Sequence, residues 1–216
     1  MTAAPAPAAR LGNVKVTRAD WLAVALDVLV SDGVDAVKVL ALGERLGVSR
    51  SSFYWYFKSR QDLLDALLRH WDETNTAALI GEAEREAATI TEAVLNVFRT
   101  VIDGDLFNTP LDFAIRDWAR RAGKVRRVLD RSDEMRLAAL TAMFARHGYP
   151  PLEAKTRARV LYFMQLGYNL AELGEPLEDR LALVPAYLHA FTGQEAAADE
   201  IDRFNAYARR LQGEPT

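Results

Sequence analysis

The chain of 216 residues contains no cysteine, so neither disulfide bonds nor thiolate metal sites are possible. Its histidines, His70, His147 and His189, stand apart from one another, and no HExxH motif occurs. The sequence also lacks a glycine-rich phosphate loop and a nucleophile accompanied by a base and an orienting residue. We therefore expect no catalytic residue, no metal and no cofactor.

No apolar run is long enough to span a bilayer, and no segment alternates with period two over a convincing length. Membrane-spanning helices and β-strands are therefore not expected. The first ten residues are rich in alanine and proline and lack the long apolar stretch of a signal peptide. We expect residues 1–12 to form a disordered tail, and the protein to be cytoplasmic.

The remaining segments show helical spacing of apolar residues, with glycine and proline between them. The first predicted helix opens with the capping box Thr17-Arg18-Ala19-Asp20 and ends before Gly33. Further helices are predicted at residues 38–46, 50–56, 61–80, 90–102, 110–122, 124–147, 152–173, 177–191 and 195–211. Pro185 either kinks the segment 177–191 or separates two helices. The expected fold class is all-α.

The most informative stretch is residues 42–64, which read LGERLGVSRSSFYWYFKSRQDLL. Gly47 can take the positive φ that ends one helix, and Ser49 can cap the next. A helix, a tight turn with glycine and a second helix form the helix-turn-helix pattern, whose second helix enters a DNA major groove.

Five aromatic residues in a row, from Phe53 to Phe57, lie in the second of these helices. Successive helical residues turn by about 100°, so one buried stripe cannot hold all five rings. Phe53 and Phe57 share a face and can enter a core. The three rings between them are then expected at the surface, where exposed aromatic side chains usually have a partner.

Together, Gly47-Val48-Ser49, the run from Tyr54 to Arg60 and Asp62-Leu63-Leu64 resemble the DNA-binding head of the TetR family of bacterial repressors. The resemblance covers about residues 17–64, and the remainder matches in length and helical texture only. Four positions depart from the usual pattern, in which alanine, threonine, histidine and arginine are common: Gly43, Lys38, Tyr56 and Leu40.

Ten residues of the head are candidates for DNA contact. Arg50 is the best candidate for reading a base, since arginine spans O6 and N7 of guanine; the alternative is a phosphate contact or a solvated charge. Ser51 and Ser52 can touch bases or phosphates, or simply cap the helix. The others offer cations, hydroxyls, a ring or a helix N-terminus to the backbone: Thr17, Lys38, Tyr54, Trp55, Tyr56, Lys58 and Arg60. For the aromatic residues the alternative is burial beneath the helix 61–80.

The charge distribution agrees with a DNA-binding head. Residues 1–60 hold 8 Lys+Arg and 5 Asp+Glu, a net charge of +3, whereas residues 61–216 hold 19 and 25, a net charge of −6. This asymmetry has the sign expected of a small basic head on an acidic body. Asp130, Asp133 and Glu134 are interpreted as part of a solvated helix face.

The resemblance implies a three-helix head at residues 13–60 and a larger helical bundle at residues 61–213 that dimerises and binds a ligand. One apolar face is the candidate for a four-helix dimer interface: Val160, Phe163, Met164, Gly167, Leu170, Ala171, Leu181, Val184, Leu188 and Phe191. The candidate ligand pocket is lined by Phe98, Ile102, Phe113, Trp118, Tyr162, Gln165 and Asn169. Ordinary intramolecular packing is the alternative for both sets.

The implied function is that of a homodimeric transcriptional repressor. It binds a palindromic operator in double-stranded DNA and is released by an unknown small-molecule effector. One alternative is an all-helical ligand-binding or enzymatic protein whose head contacts another protein. A further alternative is a repressor or activator that needs no ligand.

Overall fold

The computed structural model describes residues 16–171 and 173–213, and within these ranges it is helical with no strand. The all-α prediction is confirmed. The helices are α1 (Arg18–Asp32), α2 (Val39–Leu46), α3 (Arg50–Phe53), α4 (Arg60–Trp71), α5 (Ala77–Glu84), α6 (Ile90–Ile102), α7 (Thr109–Ala119), α8 (Gly123–Arg146), α9 (Pro151–Ala171), α10 (Leu177–Thr192) and α11 (Ala198–Leu211). The tail predicted at residues 1–12 lies outside the described residues. No described helix is long and apolar enough to cross a membrane.

The first two helices of the head begin and end as the local sequence predicts. At the start of α1 the Asp20 backbone N–H donates to Thr17 Oγ1, and the Thr17 backbone N–H donates to Asp20 Oδ2 at 2.7 Å. This reciprocal pair is the predicted capping box. Gly47 ends α2 with φ of 66°, a left-handed conformation that glycine adopts without steric cost.

The helix that carries the aromatic run is shorter than the predicted segment 50–56. Only Arg50–Phe53 is α-helical. The backbone N–H groups of Trp55 and Tyr56 then donate to carbonyls three residues earlier, on Ser52 and Phe53. Such bonds make a tighter turn, which ends the helix and turns the following side chains away from a regular helical face.

Four of the five aromatic residues lie where expected, whereas Tyr56, expected at the surface, is half-buried against the head core. Phe53 and Phe57 are buried, and their stacked rings lie 5.4 Å apart between centroids. Trp21 of α1 meets Phe53 edge-on at 5.2 Å, which fixes α1 against α3. Tyr54 and Trp55 remain exposed.

Gly43, one of the departures from the family pattern, lies where α2 approaches the turn that follows it. A Cβ atom at this position would lie 3.1 Å from the Val48 carbonyl oxygen and 3.6 Å from the Trp21 ring. The close approach of backbone to backbone therefore accounts for glycine at this point.

The long helix predicted at residues 61–80 is present and runs on to Glu84. Between α4 and α5 it contains a π-helical turn, Asp72–Thr76, which the sequence pattern did not predict. Asn75 and Thr76 of this turn are buried. A π turn inserts one residue into the helical ladder and is frequent at functional sites.

The helices enclose two hydrophobic cores. The body core is formed by α5, α6, α8, α9, α10 and α11. The head core joins α1, α2 and α3 to Leu67 and Trp71 of α4, and also to Ile115 and Trp118 of α7. A boundary after residue 60 therefore runs through the head core, because helices of the body complete it.

Pro185 does not separate two helices. Helix α10 runs from Leu177 to Thr192 without interruption, with Pro185 inside it.

The structure gives Arg60 a role in the stability of the head. Its Nε donates to the Val37 carbonyl and its Nη2 to the Val34 carbonyl, each at 2.6 Å. We expect Arg60→Ala to lower the free energy of unfolding by about 1–3 kcal/mol, because two partly buried carbonyls lose their charged donor. Urea unfolding followed by circular dichroism measures this loss.

Lys58→Ala is the matched control, since the Lys58 side chain is exposed. It should change the free energy of unfolding by less than about 0.5 kcal/mol. Equal unfolding midpoints for the two variants would show that Arg60 does not hold the head together.

Candidate nucleic-acid interface and ligand cavities

The outer surface of α3 and the turn after it carry the exposed candidates for DNA contact. Trp55 is 84% exposed and Tyr54 is 49% exposed. Arg50, Ser51 and Lys58 are exposed as well. Arg50 Nη2 donates to the Tyr54 hydroxyl at 3.0 Å, so these two side chains are held side by side. The arrangement presents a cation, a phenol and an indole on one tip of the head.

The small hydroxyl side chains around α3 are engaged locally. Ser52 Oγ donates to the Ser49 carbonyl at 2.8 Å, and the hydroxyls of Ser49 and Ser51 lie 2.8 Å apart. Thr17 Oγ1 donates to Asp20 Oδ2 within the capping box. Lys38 precedes α2, is exposed and makes no side-chain cap. Roles in DNA contact for these residues stay predictions.

Two predicted phosphate contacts are corrected by the geometry. The Tyr56 hydroxyl donates to the Val16 carbonyl at 2.7 Å and ties the start of α1 to the turn after α3. The Arg60 guanidinium points into the head and serves the carbonyls of Val34 and Val37. Both groups are partly buried and already bonded, so neither is free to reach DNA from its present position.

One cation at the head surface was missed by the sequence reasoning. The Arg18 guanidinium lies 4.8 Å from the centroid of the Phe57 ring, next to the segment that carries Lys58. Arg18 is exposed at the start of α1. Its position in the first turn of α1, directly after the capping Thr17, could have identified Arg18 as a candidate for DNA contact.

The body contains a cavity beside α7, here called the Arg136 cavity, with about 530 Å³ of space that is partly open to solvent. Its walls come from α5, α6, α7, α8 and α9. They are mostly apolar, and the polar side chains among them are Thr100, Thr109, Asp112, Arg136, Tyr162, Gln165 and Asn169.

A buried ionic network forms one wall of the Arg136 cavity. Arg136 Nη1 donates to Asp112 Oδ1 at 2.9 Å, and both side chains are almost completely buried. Asp112 also accepts hydrogen bonds from Trp71 Nε1 at 2.8 Å and from Arg116 Nε at 2.8 Å. Arg136 donates to Thr76 Oγ1 through Nε and Nη2. The network thus joins the end of α4 and the π turn to α7 and α8.

The same network continues to α9 through Asp133. Arg116 donates to both oxygens of Asp133, and the Tyr162 hydroxyl donates to Asp133 Oδ1 at 2.6 Å. The interpretation of Asp133 as a solvated carboxylate is therefore wrong. A partner 17 residues away on α7 draws this carboxylate inward, whereas Asp130 forms an exposed pair with Arg126 on α8.

A second cavity, here called the Arg180 cavity, lies between α6, α9, α10 and α11 with about 520 Å³ of partly open space. Phe98, Val101 and Gln165 line both cavities, so the two share a wall. The remaining lining residues are Ile102, Met164, Tyr168, Leu177, Arg180, Leu181, Val184, Tyr187 and Phe204.

Six of the seven predicted pocket residues line one or both cavities: Phe98, Ile102, Phe113, Tyr162, Gln165 and Asn169. Trp118 does not, and this placement was wrong, because Trp118 packs into the head core from the other side of α7. Gln165 Nε2 donates to Asn169 Oδ1, one turn further along α9, at 2.8 Å. Their role in ligand binding stays a prediction.

The predicted dimer face separates into two groups. On α9 the residues at 160, 163, 167, 170 and 171 are exposed and follow helical spacing along one side. Leu170 is 68% exposed, and Leu152, which the sequence reasoning did not single out, extends the same side. Met164 is half-buried and packs against the body core.

On α10 the predicted interface residues lie in the protein's own core. Leu181, Val184, Leu188 and Phe191 are buried, and Phe191 meets the Phe98 ring edge-on at 6.1 Å. Their assignment to a dimer face was therefore wrong for this arrangement. The intramolecular packing left open as the alternative is what the structure has.

Comparison with known proteins relates both the sequence of the head and the whole fold to one family. Residues 22–67 match the family described as bacterial regulatory proteins, tetR family. A stretch of 43 residues is 49% identical to the tetracycline repressor protein class A from transposon 1721 of Escherichia coli, and covers 20% of each chain. The chain thus matches only about a fifth of the length of this curated relative.

Solved structures extend the similarity to the body. The ketosteroid transcriptional regulator KstR2 of Mycobacterium tuberculosis superposes with a TM-score of 0.63 at 18% identity, over 86% of this chain and 98% of that one. The TetR family transcriptional regulator PfmR from Thermus thermophilus superposes with a TM-score of 0.61 at 17% identity, over 86% and 100%. At these identities the likeness concerns the fold alone. Residues 22–67 thus match the DNA-binding head of the TetR family, and the described chain has the fold of the two regulators with which it superposes.

The described residues include no group of three or more histidine, aspartate or glutamate side chains placed to hold a metal ion. The charged side chains that do cluster belong to the buried network around Arg136 and Asp112. Burial alone would raise the pKa of the Asp112 carboxyl, but Arg136 and Arg116 hold that pKa below its usual range. Burial raises the pKa of the Tyr162 phenol to about 12, so it stays protonated and can donate to Asp133.

The lowered pKa of Asp112 makes its contribution to stability depend on pH. A carboxyl group with a depressed pKa in the folded protein stabilises it above its unfolded pKa of about 3.9, and this contribution is lost as the pH falls through the folded value. Asp112→Asn leaves the buried Arg136 without a charged partner. We expect a loss of about 3–5 kcal/mol in the free energy of unfolding at pH 7, shrinking below about pH 4.

Chemical unfolding across this pH range measures the effect. Asp130→Asn is the control, because its pair with Arg126 is largely exposed and should contribute less than about 1 kcal/mol. A difference between wild type and Asp112→Asn that stays the same at pH 7 and at pH 3 would contradict the charged state assigned to Asp112.

Proposed function

We propose that this TetR-family regulator binds a palindromic DNA operator as a homodimer and represses transcription until a small molecule enters its body. The observation that carries the proposal is the position of α7. One side of this helix completes the core of a head with an exposed basic and aromatic tip, and its other side lines a cavity.

The tip of the head has the chemistry that duplex DNA requires. Arg50 stands at the start of α3 and can bridge two acceptors on a guanine edge in the major groove. Trp55 and Tyr54 can pack on sugars or on a thymine methyl group, and Lys58 can neutralise a phosphate. The body does not need to be basic, because the contacts are confined to this end of the molecule.

The exposed side of α9 supports dimerisation. Val160, Phe163 and Leu170 are exposed apolar side chains on one helical face, and Gly167 between them allows a second helix to approach closely. Burying this row of exposed apolar side chains against the same face of a second copy removes apolar surface from water, which favours dimerisation. Two copies would then carry two heads, as a palindrome requires.

The path from cavity to head supports release by a ligand. Asp112 and Phe113 of α7 line the Arg136 cavity, whereas Leu111 and Ile115 of the same helix lie in the head core. Phe113 and Asn169 also line the cleft between α7 and the end of α1, on the border between head and body. A ligand that moves α7 would therefore move the head. By linkage, ligand and operator then weaken each other's binding.

The DNA contacts are tested with duplexes selected from a random pool by the full chain. Arg50→Ala should lose about 1–3 kcal/mol of discrimination at one base pair of each half-site. Lys58→Ala should weaken binding to every sequence and reduce the slope of log affinity against log salt by about one. Fluorescence anisotropy at several salt concentrations measures both effects.

Equal losses for Arg50→Ala on preferred and substituted duplexes would remove Arg50 as a base reader. Failure of the wild type to enrich any duplex at low salt would overturn the proposed DNA binding itself.

The dimer face is tested at Gly167. A Cβ atom at Gly167 or at Gly81 would meet no atom within 4 Å of its own chain, so both helical positions accept a large side chain in a single protomer. Gly167→Arg should give a monomer, because charge and bulk enter the centre of the α9 face. Gly81→Arg, on α5, should remain a dimer. Light scattering during size-exclusion chromatography distinguishes the two, and a dimeric Gly167→Arg would place the interface elsewhere.

A further inference from the structure

The Arg180 cavity is apolar apart from a few polar groups, and one of these is a cation. The Arg180 side chain comes from the first turn of α10, beside Leu181 and Val184, which are buried. Its guanidinium lies 5.8 Å from the centroid of the Tyr168 ring on α9. A charged group therefore takes part in a wall made mainly of Phe98, Ile102, Met164, Leu177 and Phe204.

Arg180 differs from Arg136, the other arginine in the described lining of the two cavities. Arg136 is fully engaged with Asp112 and Thr76, as the buried network requires. Within residues 16–171 and 173–213, Arg180 forms no ion pair and no side-chain hydrogen bond; its contact is with the face of the Tyr168 ring. The Tyr168 hydroxyl donates to Glu175, and within the described residues no ion pair joins that carboxylate to Arg180.

A half-buried cation beside an apolar surface loses part of its hydration, and the aromatic face of Tyr168 gives it no charged partner; an anion placed there would supply one. The charge of a single guanidinium matches that of a single carboxylate, and its two parallel N–H groups match the carboxylate oxygens. Among the residues that the structure describes, no second lysine or arginine lines this cavity to balance a phosphate dianion.

We propose that the effector is an amphipathic carboxylate whose charged end binds Arg180 and whose apolar body fills the cavity. This inference rests on the proposed function, because it takes the cavities of the body as the effector site. The apolar body extends along Phe98 and Val101, which line both cavities, toward the Arg136 cavity. Along this path the effector contacts Gln165, whose Oε1 can accept a hydrogen bond from a polar group on the apolar body.

The proposal makes α10 the element that recognises the charge and α7 the element that responds. Asp112 and Phe113 of α7 line the Arg136 cavity, so a body long enough to pass Phe98 approaches the helix that completes the head core. A shorter carboxylate would bind Arg180 without reaching α7.

The experiment is calorimetric titration of the full-length protein with decanoate, decan-1-ol and decylammonium at constant ionic strength. These probes share one apolar chain and differ in the charge of the end group. Decanoate should bind at least about tenfold more tightly than decan-1-ol, because a hydrogen bond to a charged group contributes about that much. Decylammonium should bind most weakly, because its charge repels Arg180.

Three variants locate the interaction. Arg180→Gln should weaken decanoate by about tenfold to a hundredfold and leave decan-1-ol unchanged. Arg131→Gln removes the same charge from an exposed position on α8 outside both cavities, and should change neither. Val101→Phe adds bulk at the half-buried wall that the cavities share, and should weaken decanoate and decan-1-ol alike.

Equal affinities for decanoate and decan-1-ol, unchanged by Arg180→Gln, would overturn the charged end group and leave the cavity as a ligand site. Absence of binding by every probe, or binding that Val101→Phe does not weaken, would overturn the inference together with its site. Displacement of operator DNA is measured separately. Decanoate that binds through Arg180 without displacing DNA would support the inference and contradict release in the proposed function.

Discussion

The buried ion pair between Arg136 and Asp112 is the constraint on which the arrangement of these helices depends. Two opposite charges lie almost completely out of contact with water, and each needs the other to offset its desolvation. Asp112 further binds Trp71 at the end of α4, and Arg136 binds Thr76 in the π turn. The pair therefore fixes four elements relative to one another, and with them the wall of the cavity.

Because a buried charge without a partner is so costly, this network does not deform gradually. Either the set of bonds is made, or several polar groups lose their partners together, which is the behaviour expected of a two-state element. The π turn belongs to the same unit, since its buried Asn75 donates to the Asn108 carbonyl just before α7. The geometry of α4 and that of α7 are thus linked by polar bonds as well as by apolar packing.

Local chemistry in the sequence was sufficient to predict much of the head. The capping box at Thr17, the positive φ at Gly47 and the division of the aromatic run all depend on residues a few positions apart. Arg60 and Tyr56 could not be placed in this way. Their partners are backbone carbonyls 23 to 40 residues distant. Every residue has such a carbonyl, so the sequence does not indicate which one accepts the hydrogen bond.

In the body, periodicity identified apolar faces but not what covers them. The stripe on α10 that includes Leu188 has the same spacing whether it meets its own core or a second copy. Trp118 was assigned to the wrong side of α7 for the same reason, because that helix carries apolar residues both toward the head core and toward the Arg136 cavity. Arg136 was detectable in principle, since it precedes Ala139, Leu140 and Met143 at core spacing, where a charge needs a buried partner.

The head core, completed by α7, has a consequence for the modularity of such proteins. A segment cut after residue 60 would lose the surfaces of Leu67, Trp71, Ile115 and Trp118 that shield Trp21 and its neighbours. A chimera that grafts this head onto the body of another regulator must therefore bring a matching inner face of α7 with it. Substitutions in the head core and on that face of α7 should therefore be coupled in their effect on stability, whereas exposed residues on the outer side of the head can be replaced independently.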